Sequence, residues 1–106
     1  MRKNKYCLIK TTYKYKKEAK NISKILLVSK LIACAQICKI ESLYFWESKI
    51  MDEPEFLLMI KTKSSYFKKI QKLILQNHSY KNPQIIKIEI EDGSENYFAW
   101  IEDCLK

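Results

Sequence analysis

The residues able to hold a metal ion are few. They are one histidine, four cysteines and the carboxylates of the central stretch, Glu47, Asp52, Glu53 and Glu55. Imidazole and thiolate together suit copper or zinc, which makes His78, Cys34 and Cys38 the natural donors. Cys34 and Cys38 are four residues apart and would share one face of a strand, with Cα atoms about 13 Å apart. That is too far for one ion to bridge both within a chain. A chelate would need donors from different segments or subunits. A plainer reading accounts for the same residues: cysteines as small buried hydrophobes and His78, beside Tyr80, as a hydrogen-bonded structural residue. No two of Cys7, Cys34, Cys38 and Cys104 have C-x-x-C spacing, so reduced thiols are expected. Nucleophilic catalysis has no support, because no G-x-S-x-G, Cys-His or Ser-His-Asp pattern is present. Gly93 is the sole glycine, which excludes a glycine-rich phosphate loop. The expectation is a protein that is not an enzyme.

These residues must be positioned by an ordinary domain. The 106 residues are 47% apolar and 12% aromatic, enough for one folded unit over 1–106. No run reaches the roughly 18 apolar residues of a membrane span. The basic start turns polar after Tyr6–Ile9, too short an apolar core for a signal peptide, so a cytoplasmic location and no membrane partner are expected. The net charge of +8 invites a nucleic-acid reading. Arg2 is the only arginine, however, and the Lys-, Ile- and Asn-rich composition is what an AT-rich genome produces. The composition therefore predicts no nucleic-acid partner.

The stretch Ser42–Ile60 organises the rest. Two aromatic-rich runs, Leu43–Trp46 and Phe56–Ile60, flank a polar middle with Ser48, Asp52 and Pro54, the pattern of an antiparallel hairpin with a turn or bulge. Both faces of the hairpin are apolar, so both need cover. Around it, Tyr6–Thr11 reads as a strand, and Lys16 to about Lys30 as a helix with no Gly or Pro to stop it. Leu31–Ile40 reads as a strand running into the hairpin. A second helix, capped by Ser64 or Ser65, ends near Asn77. Gln84–Glu91 reads as a strand with Ile86, Ile88 and Ile90 inward. Ser94 caps a last helix bearing Tyr97, Trp100, Ile101, Cys104 and Leu105 on one face. The order β-α-β-β-α-β plus a terminal helix is the α+β, ferredoxin-like split βαβ arrangement. Both helices then lie on one side of the sheet, and the bare side calls for a symmetric oligomer.

With those elements placed, several stretches resemble the CutA family, the divalent-cation tolerance proteins. They are Thr11-Thr12, Leu31–Ile37, Ser42–Ile50, Glu55–Thr62, His78–Pro83 and Asn96–Ile101, in order over nearly the whole chain. The resemblance implies a homotrimer whose long hairpins join sheets across subunits, an architecture related to the trimeric nitrogen-regulatory PII proteins. It implies a part in tolerance to copper and other divalent metals, with weak metal binding, no obligatory cofactor, and Cu or Zn ions as candidates at Cys34 and His78. Placed by the resemblance, Trp46, Glu47, Lys61, His78, Tyr80 and Trp100 converge where a hairpin meets a neighbouring subunit. They form either a small-molecule or ion cleft or a set of interface anchors. A signalling or scaffold module of the PII type, binding a small molecule or partner protein there, is the alternative. Three positions depart from the family pattern: Ser48 replaces Gly, Lys10 replaces a cysteine found in some members, and Gln84 replaces Glu.

Overall fold

The computed structural model describes residues 5–106. In chain order the elements are β1 (Tyr6–Tyr13), α1 (Lys16–Val28), β2 (Cys34–Trp46), β3 (Lys49–Lys63), a 3-10 turn (Ser64–Tyr66), α2 (Phe67–Gln76), β4 (Ile85–Glu89) and α3 (Glu95–Cys104). The strands form one sheet in the order β2-β3-β1-β4, every neighbouring pair antiparallel. This is the split βαβ arrangement that the sequence predicts.

The core follows from strand alternation. Cys7 and Ile9 of β1 and Leu58 and Ile60 of β3 turn to one side of the sheet. There they meet Ala19, Ile22 and Leu26 of α1 and Ile70 and Ile74 of α2. Each such aliphatic side chain contributes about 1.5–3 kcal/mol on burial. Thr62, on the same side, is buried with its hydroxyl donating to the Leu31 carbonyl at 2.6 Å. That bond ties β3 to the chain that leaves α1.

Four local outcomes differ from the sequence reading. β1 runs on to Tyr13, two residues past the Tyr6–Thr11 strand of the sequence reading, and Tyr13 is fully buried. α1 stops without glycine: Lys30 takes the left-handed conformation (φ 57°). The Leu31 N–H then returns to Leu26 and the Lys30 N–H to Leu27, a Schellman cap built on lysine. β2 begins only at Cys34, because Leu31–Ala33 form a buried connection, with the Ala33 N–H donating to Lys61 at 2.9 Å. Near the start of α2 a 3-10 turn opens at Ser64, and no serine side chain caps the helix.

β4 departs most. Ile86 pairs with Lys10 and Ile88 with Leu8. Directly opposed residues of an antiparallel pair share a face, so these isoleucines lie on the side away from α1 and α2, 45% and 43% exposed. Lys87 turns to the helix side instead, its ammonium 5.7 Å from the Phe67 ring centroid. The apolar stripe of β4 belongs to the bare sheet face.

The hairpin is longer and tighter than the polar middle suggests. β2 and β3 pair without interruption from Cys34↔Lys61 to Trp46↔Lys49. Only Glu47 and Ser48 make the turn, with φ of 49° and 66°. Two successive positive φ values define the type I′ turn that fits strand twist. Pro54 sits inside β3 opposite Glu41. It lies beyond Phe56, where β1 pairing ends, so β3 has a neighbour on one side only and a missing N–H is tolerated.

Since Ser48 occupies a position suited to glycine, Ser48→Gly should stabilise the protein by about 0.5–1 kcal/mol, the left-handed strain outweighing the entropy glycine adds to the unfolded chain. Urea unfolding at fixed protein concentration measures this. A midpoint that stays put or falls would show that Ser48 carries no strain.

Candidate functional site

The loop after α2 is pinned from three directions. His78 Nε2–H donates to the Thr12 carbonyl at 2.8 Å, and its Nδ1 accepts the Tyr80 N–H at 3.0 Å. Its ring stacks on Tyr13, centroids 4.1 Å apart and planes 13° off parallel. Glu18 of α1 accepts from the Ser79 N–H (3.1 Å) and hydroxyl (2.9 Å). Tyr80 then donates its hydroxyl to Glu55 on β3 at 2.7 Å. The two bonds of His78 fix one neutral tautomer. Burial pushes its pKa down, against the raising effects of the Thr12 bond and of Glu18 and Glu55. Burial and the bond to Glu55 likewise push the Tyr80 phenol up.

Glu55 belongs to a row of polar groups along the hairpin. Ser42 donates to its other oxygen at 2.6 Å, and Tyr44 donates to Glu53 at 2.5 Å. These residues share a strand face, on the same side as the bare sheet. The hydroxyls hold two neighbouring carboxylates without neutralising them. The sequence reading named Glu53 and Glu55 as donors but missed Ser42 and Tyr44. The legible signal was alternation about a two-residue turn, which opposes 42 to 53 and 44 to 51.

At the other end of the bare face α3 makes a partial cover. Phe98 stacks on Tyr6, centroids 4.7 Å apart. Glu102 accepts from the Tyr6 hydroxyl at 2.8 Å and pairs with Lys63 and with Lys5. The Lys63 ammonium, more than the other two, lowers the Glu102 pKa to about 2. Lys61 donates to the Tyr97 hydroxyl at 3.1 Å, and Tyr97 lies 5.5 Å from Trp100. A Cβ at Gly93 would approach the Phe98 ring to 2.7 Å, so any side chain there would push that ring aside.

The residues singled out from the sequence thus fall into separate places within one chain. Trp46 and Glu47 are at the hairpin tip, Lys61 and Trp100 share the α3 cluster, and His78 and Tyr80 form the pinned loop. Trp46 pairs with Lys49, twelve residues along β3 from Lys61, or about 40 Å. Cys34 is level with Lys61 and hence Leu8, while His78 is level with Thr12. That separates them by about 13 Å along the strands and two strand spacings across. Among the described residues no three His, Cys, Asp or Glu side chains come together as a metal group. His78 also has both ring nitrogens engaged. A divalent ion does not fit as a chelate within a single subunit. Cys34 is half-buried and Cys38 exposed, both as free thiols.

The fold and its exposed hairpin define a class: an antiparallel α+β sandwich of ferredoxin type with an incomplete outer face. Comparison with known proteins narrows it. Residues 7–104 match the family described as CutA1 divalent ion tolerance protein. The chain is 38% identical over 89 residues to the divalent-cation tolerance protein CutA of Archaeoglobus fulgidus, covering 84% of this chain and 87% of that one. It is 36% identical over 97 residues to a probable homologue from Encephalitozoon cuniculi, covering 92% and 85%. Among solved structures, the Archaeoglobus fulgidus protein superposes with a TM-score of 0.91 at 36% identity, covering 95% of this chain and 99% of that one. CutA1 from a Shewanella species gives 0.92 at 32%, covering 98% of both. The chain belongs to the CutA1 divalent ion tolerance family.

The state of His78 makes stability depend on pH. Its folded pKa lies below the ordinary 6.5, so the unfolded chain takes up a proton first. The contribution is complete above pH 6.5 and lost as pH falls below it. Thermal midpoints should therefore decline from about pH 6.5 toward 5, and His78→Gln should flatten that segment. Identical profiles for the two proteins would dismiss the histidine as the source. Glu102, whose ordinary value is 4.5, has the same sign, with its contribution lost only as pH falls from 4.5 toward 2. Separately, Tyr80→Phe should lose about 1 kcal/mol of stability with the Glu55 bond, measured by urea unfolding at neutral pH. A loss below a few tenths would mean that the bond is replaced by water.

Proposed function

We propose that the chain acts as a cytoplasmic homotrimer of the divalent-cation tolerance class, takes up divalent ions weakly at contacts completed between subunits, and catalyses no reaction. One observation carries the assembly: the hairpin outruns β1 and ends in exposed apolar side chains with no helix or third strand against them among the described residues. Leu43, Phe45, Trp46 and Ile50 are exposed there, Phe45 to 75%. A separate uncovered surface, the sheet face with Leu8, Ile86 and Ile88, lies on the same chain. Exposed apolar surface of that extent marks an interface. Two different surfaces on each copy suit a heterologous contact, hairpin onto the next sheet, which closes into a ring. The trimeric number comes from the family resemblance.

Weak, shared ion contacts agree with donors that are far apart in one chain and with free thiols on the face a neighbour would cover. Copper and zinc are the ions that thiols favour. A reducing, cytoplasmic setting keeps Cys7, Cys34, Cys38 and Cys104 as the free thiols they are. No helix is long and apolar enough to cross a membrane among the described residues.

Native mass spectrometry of the reduced protein, with and without Cu²⁺ or Zn²⁺, tests both halves. A trimer taking up a fixed small number of ions is expected. Cys34→Ser combined with His78→Ala should remove that uptake while leaving the trimer. Scattered adducts, unchanged by the double variant, would reject these donors. Phe45→Ala and Trp46→Ala should each weaken assembly and stability together, and a folded monomer of the unaltered chain would reject the hairpin contact itself.

A further inference from the structure

The two helices over the sheet carry a charge distribution that composition does not reveal. α1 exposes Lys16, Lys17, Lys20 and Lys24, and α2 exposes Lys68, Lys69 and Lys72. Of the twelve acidic residues, only Glu18 lies in either helix, and both its oxygens are taken up by Ser79. The other acids lie on the hairpin, on β4 and the link after it, and on α3. Among the described residues none of these seven lysines is in an ion pair, whereas Lys5, Lys63 and Lys87 are. An AT-rich genome accounts for how many lysines there are. It does not account for their segregation from the carboxylates.

Helix stability does not account for it either. Lys16 and Lys17 open α1, and Lys68 and Lys69 open α2, where the macrodipole is already positive and a cation is unfavourable by tenths of a kcal/mol. The first turn of α2 holds no acid to offset this. At the start of each helix, dipole and ammonium groups therefore add locally, while the lysines along both helices supply the charge of the layer as a whole.

We propose that this outer helix layer docks the phosphate backbone of duplex nucleic acid, without sequence preference. The layer is opposite the bare sheet face, so it stays outward whatever covers that face. The two crossovers make α1 and α2 antiparallel neighbours, and Glu18 near the start of α1 holding Ser79 just past the end of α2 fixes that order. Their basic starts thus lie at opposite ends of a surface about 20 Å long, with the helix axes about 10 Å apart. Phosphates along a duplex present charge over the same span. The absence of arginine from the layer argues against base readout. The exposed aromatic beside these lysines is Tyr15, too little for the stacking that single strands require. An anionic lipid surface shares the charge but wants a continuous apolar strip. The exposed aliphatics here are split, with Ile25, Leu27 and Val28 toward the end of α1 and Leu75 toward the end of α2, at opposite ends of the layer.

The test is fluorescence anisotropy of the full chain with a short mixed-sequence DNA duplex across a salt series. Binding should weaken with a log–log salt slope of about −3 or steeper. Lys20→Glu with Lys72→Glu should lose at least about tenfold in affinity and flatten the slope by about 2. Lys39→Glu with Lys49→Glu, both on the hairpin, changes net charge equally off the layer, and should change affinity by no more than about twofold. Lys20→Gln with Lys72→Gln should show the same ordering with a smaller loss. Each variant is first checked for wild-type helicity and assembly state. Equal losses in the two glutamate pairs would reduce the effect to net charge and overturn the proposal. No binding at low salt would overturn it as well. So would layer-dependent binding to phosphatidylserine-containing vesicles without duplex binding.

Discussion

Everything outside the core depends on a mismatch of lengths. β2 and β3 have 13 and 15 residues, while β1, which lies between β3 and β4, has eight. Among the described residues, the part of the hairpin past Tyr13 has neither helix nor third strand against it, so its apolar side chains meet only those directly across the hairpin. The same constraint sets the energetics. The buried cluster under α1 and α2 must hold one subunit together, while the hairpin and the bare face contribute little until they are covered. It also sets where function can lie. The convergent polar groups, from Thr12 through His78 and Tyr80 to Glu55 and Ser42, sit at the point where β1 stops and the free hairpin begins. The orientation of the hairpin is thereby linked to a loop and to α1 by directed hydrogen bonds rather than by packing.

Much of this was legible in the chain. The alternation in YCLIKT and QIIKIEIE, the helical spacing of Ile22, Ile25 and Leu26, and the two aromatic runs around Ser48 gave the element order and the two-sided hairpin. What alternation does not tell is which side of a strand is inside. Ile86, Ile88 and Lys87 alternate equally well in either orientation, and the register with Leu8 and Ile9 decides it. Turn chemistry misled in the other direction. Lys30, Glu47 and Ser48 adopt positive φ without the glycine that usually announces it, so the end of α1 and the tightness of the hairpin turn were hidden. Pro54 and Asp52 suggested a loop where a long strand runs.

The site was legible in part. His78 and Tyr80 were adjacent in sequence and prove adjacent in chemistry, but their anchors Thr12, Tyr13 and Glu18 come from more than 60 residues away. Nothing in one sequence pairs such distant residues. The donors Cys34 and His78 could be named by type, and only the strand register shows that a single chain keeps them apart. The family resemblance supplied the expectation of a trimer, whereas periodicity alone could only mark the sheet as incompletely covered.

The place of β2 in the sheet has a further consequence. It is an edge strand, and for its whole length one row of backbone N–H and C=O groups lacks a strand partner among the described residues. Long, apolar edges invite strand addition by any extended segment. A newly made chain therefore faces two competing fates, ordered covering of that edge or irregular aggregation. The charges at Lys39 and Glu41 interrupt the apolar pattern of β2 and slow the second route. The balance then falls to kinetics: how long the hairpin waits exposed. For an edge of this length, the speed with which it is covered becomes part of the requirement for folding.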